Sequence, residues 1–448
     1  MKAKLKFISA SCSLVLFTLA AMLPQNVLAQ TNYYWTTPVE RLTGGGSPQG
    51  VAVDAAGNVY IADYNKNVIL RAAPEGAGWL VTTIAGSSGN SHGTNNGTGT
   101  AARFYSPSSV AVDIASNIYV ADSGNNCIRK ITPSGNNWIV TTIAGVAGPG
   151  TGSKDGTNGV AQFNNPVGIT VDTSGNVFIG DNGNSTIRKI TLSVTPTATN
   201  WITTTIAGTA GTSGYQDDTN GNAQFTYLLG VAVDAADNVY VADGENYVIR
   251  KVSPSGTNWI TTTIAGQAGT SGYNDGTNFD AQFGFPFAVS VDNADNVYVA
   301  DAGYNTIRRL TPSGADWIVT TIGGSATASA GSSNGTNDVA AFNGPQGVAV
   351  DKAGDVYVGD TQNDALRLGL LFPPILQLAQ VTNQITLTYP TALGTNLYTF
   401  LLQSTTNLAN NSWATLTNKW QLDANSKPYI KLTVTNKVPD KFFRLQLQ

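Results

Sequence analysis

The sequence predicts an all-β fold: a six-bladed β-propeller closed by an N-terminal strand that completes the last blade, followed by a small C-terminal β-domain. Three observations predict it. One phrase recurs six times along the 448 residues at near-constant spacing. Each copy breaks into four short β-branched and aromatic runs separated by turn residues, with no helical period between them. The copies are also out of phase with the chain ends, so that the last lacks its fourth run and the N-terminal region holds a spare one.

The phrase reads Val51-Ala-Val-Asp54, Val110-Ala-Val-Asp113, Ile169-Thr-Val-Asp172, Val231-Ala-Val-Asp234, Val289-Ser-Val-Asp292 and Val348-Ala-Val-Asp351, and its closing aspartates stand 59, 59, 62, 58 and 59 residues apart. Small residues and an Asn or Asp follow as turn chemistry, as in Ala55-Ala56-Gly57-Asn58. A second strand comes next (Val59–Asp63, Ile118–Asp122, Val239–Asp243), then a third such as Ile128-Arg-Lys-Ile131. A Pro-Ser-Gly turn leads to a fourth, as in Trp138-Ile-Val-Thr-Thr-Ile-Ala-Gly145. Four-stranded units repeated four to eight times are the material of a propeller. The sixth copy has no Trp strand after Leu368, and the missing piece sits at Trp35–Gly44, giving six Trp strands starting at Trp35, Trp79, Trp138, Trp201, Trp259 and Trp317. Closing the ring this way removes sheet edges that otherwise invite aggregation.

The recurring Gly-Val-Ala-Val-Asp, Asn-Val-Tyr-Val-Ala-Asp, Ile-Arg-Lys-Ile and Thr-Thr-Ile-Ala-Gly, followed by Asp-Gly…Ala-Gln-Phe…Pro, resemble the NHL-repeat pattern over roughly residues 33–370. That resemblance implies that the first strand of each repeat lines the axis and the Trp strand lies outermost. It implies little about function, because one fold hosts many.

At the N-terminus, Lys2, Lys4 and Lys6 precede an apolar run from Phe7 to Leu23 and a Val27-Leu28-Ala29 cleavage site, which reads as a signal peptide over 1–29. A lipoprotein signal ending at Cys12 is the rival reading. The expected localisation is secreted or cell envelope. Removal of 1–29 takes three lysines and no acid, leaving 21 basic against 28 acidic residues and a net charge of −7. Nucleic-acid binding needs a basic face, so it is not expected. No later run reaches the length of a membrane span, and a monomer is expected. Cys127, alone after cleavage, reads as a buried small hydrophobe. Residues 30–370 form the expected propeller domain. Past Pro373-Pro374 the repeat is lost, and 371–448 read as short strands that resemble the small β-sandwich modules appended to exported bacterial proteins, a likeness that implies attachment or spacing.

A residue present in every blade belongs to the blade more than to a site, because one ligand touches the ring asymmetrically. The second-strand aspartates Asp63, Asp122, Asp181, Asp243, Asp301 and Asp360 are weak cation candidates on that ground. The alternatives are turn capping or pairing with the arginine seven residues on: Arg129, Arg188, Arg250, Arg308 and Arg367, with Leu70 in the first repeat. The loops at Asp155-Gly156, Asp217-Asp218, Asp275-Gly276 and Asn334-Gly335 leave calcium as the sole cofactor to consider, although they lack an EF-hand's ligand run. Phe104, Phe163, Phe225, Phe283 and Phe342 read as plugs between blades. His92 is the single histidine, so neither a multi-histidine zinc site nor a catalytic triad has its parts.

The six-fold pattern breaks most in the fourth and fifth repeats. Tyr215, Tyr227, Glu245, Tyr247, Tyr273, Phe285, Phe287 and Tyr304 stand there in turns and loops that elsewhere carry Ser, Gly, Asn or Pro. Strand parity opens all of these on one face. Aromatic rings beside Asn and Asp suit stacking on sugars or anchoring a protein, and inter-blade packing is the structural alternative. The expected function is a non-enzymatic binding scaffold for a polysaccharide or protein at the cell surface. A cation-dependent lactonase- or lyase-type propeller enzyme is the alternative, and RNA binding is a third, less compatible with export and with the charge.

Overall fold

The structure, a computed structural model, describes residues 32–76, 78–87, 92–148, 150–196, 198–325 and 330–372, together with the backbone of seven short strands between 377 and 447. The signal peptide expected over 1–29 lies outside the described residues. The chain divides into two units between Phe372 and Pro373. In the C-terminal unit the strands pair antiparallel as a four-stranded sheet (Gln377–Val381, Gln384–Pro390, Tyr429–Val434, Gln421–Leu422) and a three-stranded one (Ala414–Thr415, Phe400–Thr405, Phe442–Leu447).

The other unit is six antiparallel sheets arranged as blades, each with four principal strands in chain order from the axis outward. In the first blade these are Pro48–Val53, Val59–Asp63, Val68–Glu75 and Gly78–Gly86. In the sixth, Pro345–Val350, Val356–Asp360 and Ala365–Phe372 receive Asn32–Val39 as their outer strand. The ring closes with strands from its two ends, as the phase of the repeats requires.

The inner strands pack so closely that a side chain is a liability where they meet. A Cβ on Gly50, Gly168 or Gly347 would collide with the next blade's backbone, and one on Gly230 would lie 2.6 Å from Ala288 Cα. Each inner strand carries a bulge at this level, such as Pro48/Gly50 and Pro166/Gly168, which bends it around the axis. At the foot of each blade the closing aspartate of the repeat phrase caps its own turn. Asp54 Oδ1 accepts the N–H groups of Ala56 and Asn58 at 2.9 Å, and Oδ2 accepts Asn58 Nδ2 at 2.8 Å.

Aromatic pairs lock neighbouring blades. The second-strand ring of one blade meets the outer-strand Trp of the next edge-on at 5.8–6.3 Å: Tyr60 with Trp138, Tyr119 with Trp201, Phe178 with Trp259, Tyr240 with Trp317 and Tyr357 with Trp79. The sixth junction corrects the register expected for the closing strand. Tyr33 pairs with Leu371 as Trp138 pairs with Pro133, and its hydroxyl lies 3.3 Å from that of Tyr298. Trp35 therefore sits two residues further along, at the position of Val140, and is wholly buried. Two glycines make the room. Gly369 stands where other blades have Ile131 or Leu310, and Gly323 where they have Ala144 or Ala265; a Cβ on either would lie 2.7 Å from the indole. The indole N–H donates to Ile322 O at 2.8 Å.

This arrangement predicts strong coupling. Trp35→Val and Gly369→Ile should each cost about 3 kcal/mol or more, by cavity and by clash, while the double variant should lose clearly less than their sum. Urea unfolding of the four proteins decides it, and additive losses would show that the glycines are not there for Trp35.

A second expectation concerns the sixth-blade turn. In the other five blades an asparagine Nδ2 bonds the capping aspartate at 2.7–2.8 Å, but here Asp355 faces Asp351. Burial, and then the charge of Asp351, pushes the Asp355 carboxyl up to about 7. An unfolded aspartate titrates near 3.9, so between these values the folded chain keeps a proton the unfolded chain has lost. Stability then falls as pH rises toward 7 and levels off above it. Asp355→Asn should stabilise the protein at pH 8 by on the order of 1–3 kcal/mol and leave it unchanged near pH 4. Thermal melts of both proteins across that range test this, and a pH-independent gain would refute it.

Candidate functional site

The six second-strand aspartates do not converge on one point. Each is fully buried in its own blade, and five of them meet the arginine seven residues on, at 2.7 Å (Asp122–Arg129), 2.8 Å (Asp181–Arg188, Asp243–Arg250), 3.0 Å (Asp360–Arg367) and 3.7 Å (Asp301–Arg308). Asp63, opposite Leu70, instead accepts Thr43 Oγ1 at 2.7 Å and the N–H groups of Ser47 and Lys66. Among the described residues no three His, Cys, Asp or Glu side chains gather where they could hold a metal ion.

The arginines do more than pair with these aspartates. Arg188 Nη1 also donates to Gln162 O, and Nη2 donates to Lys154 O and to Asp155 Oδ1. Its guanidinium lies 5.0 Å over the Phe163 ring. Arg129, Arg250, Arg308 and Arg367 repeat the pattern over Phe104, Phe225, Phe283 and Phe342. Three of the loop residues raised as calcium candidates take part in this arrangement. Asp155, Asp217 and Asp275 each bind their arginine, and each also accepts the N–H and hydroxyl of an outer-strand threonine, namely Thr205, Thr263 and Thr321. Every crossover loop between blades is thus pinned to the blade it leads into. Cys127 is buried, and His92 is exposed and edge-on to Tyr105 at 4.4 Å.

The turns after the second strands and the crossover loops open on one face. The turn asparagines reach the loops directly: Asn125 Nδ2 donates to Gly93 O, Asn184 to Gly152 O, Asn246 to Gly214 O and Asn363 to Gly331 O. At the centre of the ring the inner strands of all six blades enclose a cavity of about 50 Å³, which accepts a few waters. Its walls include Ser108, Val167, Leu229, Phe287 and Gln346, with no ionisable side chain.

On that face the aromatic residues of the fourth and fifth blades fall into two groups, with Tyr215 and Tyr247 outside them. Tyr227, Phe285 and Phe287 form a run with ring centroids 5.8 and 6.3 Å apart. Tyr273 and Tyr304 meet edge-on at 5.3 Å. Tyr227 and Tyr273 are exposed by 43% and 45%, and Glu245 is exposed at the adjoining turn. Tyr215 stands apart, stacked on the Arg250 guanidinium at 5.1 Å with its hydroxyl 3.1 Å from Thr263 Oγ1. It braces its loop.

The sequence did not disclose the backbone at Tyr227 and Tyr247. Both lie in the left-handed region, with φ of 63° and 60°, where a bulky side chain is strained. The positions equivalent to Tyr247 are Asn67, Asn126, Ser185, Asn305 and Asp364, all left-handed. Four of these five use the side chain to accept an N–H from the next blade, at Ser106, Asn165, Gly344 and Gly45, over 2.7–2.8 Å. Tyr247 has no such acceptor to offer, and Phe285 N–H turns to Asp301 Oδ1 instead. The fourth-to-fifth junction has exchanged an inter-blade hydrogen bond for aromatic surface.

The exchange carries a stability cost, so Tyr247→Asn should stabilise the fold by about 1 kcal/mol, through relieved strain and a regained bond. Chemical denaturation measures it. A destabilised variant would mean that the Tyr247 ring serves packing.

Comparison with known proteins places the repeat. The NHL repeat model matches residues 104–131, 163–190 and 342–367, so the chain carries NHL repeats, as the motifs led one to expect. It is 27% identical over 304 residues to human NHL repeat-containing protein 2, covering 62% of this chain and 41% of that protein. It is 28% identical over 296 residues to the chloroplastic protein SUPPRESSOR OF QUENCHING 1 of Arabidopsis thaliana, covering 63% and 26%. The chain therefore spans less than half the length of these relatives. Among solved structures, an auxiliary nutrient binding protein of Bacteroides thetaiotaomicron superposes with a TM-score of 0.54 at 15% identity, over 76% of this chain and 77% of that one. Another from Bacteroides ovatus gives 0.53 at 16%, over 77% and 78%. These likenesses concern the fold.

Proposed function

We propose that this NHL-repeat propeller is an exported, non-enzymatic binding module, and that the loop face of its fourth and fifth blades takes a polysaccharide or a protein at the cell surface. The carrying observation is the pair of left-handed tyrosines, Tyr227 and Tyr247, set where sibling blades use residues suited to that backbone. Strain of this kind persists where a site needs a particular side chain in a particular place. Around them Phe285, Phe287, Tyr273 and Tyr304 offer flat apolar faces, the two tyrosines with polar tips, which bury much area at small entropic cost. The axial lining supplies no carboxylate or imidazole, which favours binding over cation-assisted chemistry on this ring. The nutrient-binding descriptions of the Bacteroides structures are consistent with this reading.

Thermal unfolding of residues 30–448 against a panel of cell-wall and extracellular glycans, with calcium and with EDTA, tests it. A true ligand at a hundred times its dissociation constant stabilises by about 2.7 kcal/mol, a visible shift in Tm. The shift should vanish in a Tyr227→Ser/Tyr247→Asn variant that still folds. A melt that responds to EDTA and to no glycan or protein partner would overturn the proposal in favour of a cation site.

A further inference from the structure

Five of the six blades do not leave their outer strand as an edge. The crossover loop lies along it. In the third blade Gly156 and Thr157 pair with Thr203 and Ile202, in the second Gly97 and Thr98 pair with Val140 and Ile139, and the fifth and sixth repeat this register. The fourth makes it as a single bridge between Thr219 and Ile260. The next residue, Asn158, Asn220, Asn278 or Asn337, accepts the N–H of Trp201, Trp259, Trp317 or Tyr33 at 2.7 Å. The first blade differs. The loop that leads into it from the closing strand is residues 40–47 alone, where the second and third blades are joined by residues 145–165, and its sheet stops at four strands.

Among the described residues nothing pairs with the outer edge of Gly78–Gly86. This strand has neither the charged residues nor the proline that protect natural edges, and its one bulge lies beyond Thr83, at Ile84. Trp79, Val81 and Thr83 hold the positions at which the other blades receive the Asn acceptor, the Gly-Thr ladder and the Asp or Asn side chain. We propose that this edge is a docking strand for an extended Asn-Gly-Thr-Asn segment of a partner protein, bound as the crossover loops are bound in the other blades.

The molecule itself specifies the occupant. Gly-Thr is the pair that fits the ladder at four edges, and Asn follows it at three of them. The residue before Gly is Asp at Asp155 and Asp275 and Asn at Asn96 and Asn334, and each accepts from its blade's buried arginine. The first blade has Leu70 at that arginine position, so a carboxylate there would lose its counter-ion and a neutral Asn is preferred. Recognition of this kind draws on main-chain hydrogen bonds, with side-chain pockets giving selectivity.

The test adds a capped heptapeptide, Ser-Asn-Gly-Thr-Asn-Gly-Val, to the full chain and follows amide exchange at Trp79, Val81 and Thr83. At millimolar peptide these amides should slow about threefold or more, with other rim strands unchanged. A peptide with Pro for the first Gly should have no effect, and one with Asp for the first Asn should act more weakly. Leu70→Arg should reverse that Asn-over-Asp preference. If that variant does not fold, the two peptides on the unaltered chain still decide the charge argument. No slowing, or equal slowing by the proline peptide, would overturn the proposal. So would protection already complete in the chain alone, which places the occupant in cis, or protection that tracks a concentration-dependent dimer, which makes it a second copy.

Discussion

Five arginines with no exposed side-chain surface, each against an equally buried aspartate, set the conditions under which this ring holds together. A guanidinium in a blade interior is tolerable because its two Nη groups are spent on a carboxylate, on two carbonyls of the crossover loop and on a loop side chain, with a phenylalanine ring beneath. Removing one partner from such an arrangement typically costs 3–5 kcal/mol, since the other charge stays buried. Burial pushes Asp181 and Asp243 up to about 6, even though arginine, asparagine and backbone donors all pull them down. What the clamp secures is the crossover loop, and through it the rim strand that the loop covers and the face that the loop helps to build.

Much of this was legible in the sequence. The period, the four runs and the spare strand fixed a closed six-bladed ring, and the seven-residue spacing of Asp and Arg allowed the pairing that the structure contains. The second contact of each arginine was not legible, because Asp155 and Arg188 lie 33 residues apart and only the fold brings them together. The register of the closing strand was misleading for a physical reason. Trp35 invited alignment with the other tryptophans, but two glycines distant in sequence, Gly323 and Gly369, create a cavity that draws it two residues inward and leaves Tyr33 to meet Tyr298.

The candidate face divides in the same way. Repetition makes each blade a control for its neighbours, so the aromatic substitutions of the fourth and fifth repeats stood out without any structure. Their grouping did not, because Tyr227 and Phe285 are 58 residues apart and adjoin only across a blade junction. Nor did strain show. A left-handed tyrosine is invisible until the equivalent asparagines are seen to be left-handed and to bond the next blade. Tyr215, one of the same set in sequence, proves to be a loop brace on Arg250.

Two departures from six-fold symmetry therefore have different origins. The aromatic junction is a choice of side chains at Tyr227 and Tyr247, whose left-handed backbone is shared by Ser106 and Asn165 and by Asn67, Asn126, Ser185 and Asn305 in sibling blades. The bare edge of the first blade follows from the length of one loop. Only residues 40–47 join the closing strand to Pro48, where residues 145–165 join Ala144 to Pro166, and the short form leaves no crossover loop to lie along the outer strand. Without that loop an arginine at position 70 would be a buried charge lacking most of its acceptors, and the chain has leucine there. Leu70 is thus the sequence-level mark of that short loop, and the same absence that removes the need for an arginine leaves the main-chain groups of Trp79, Val81 and Thr83 uncovered along the outer edge.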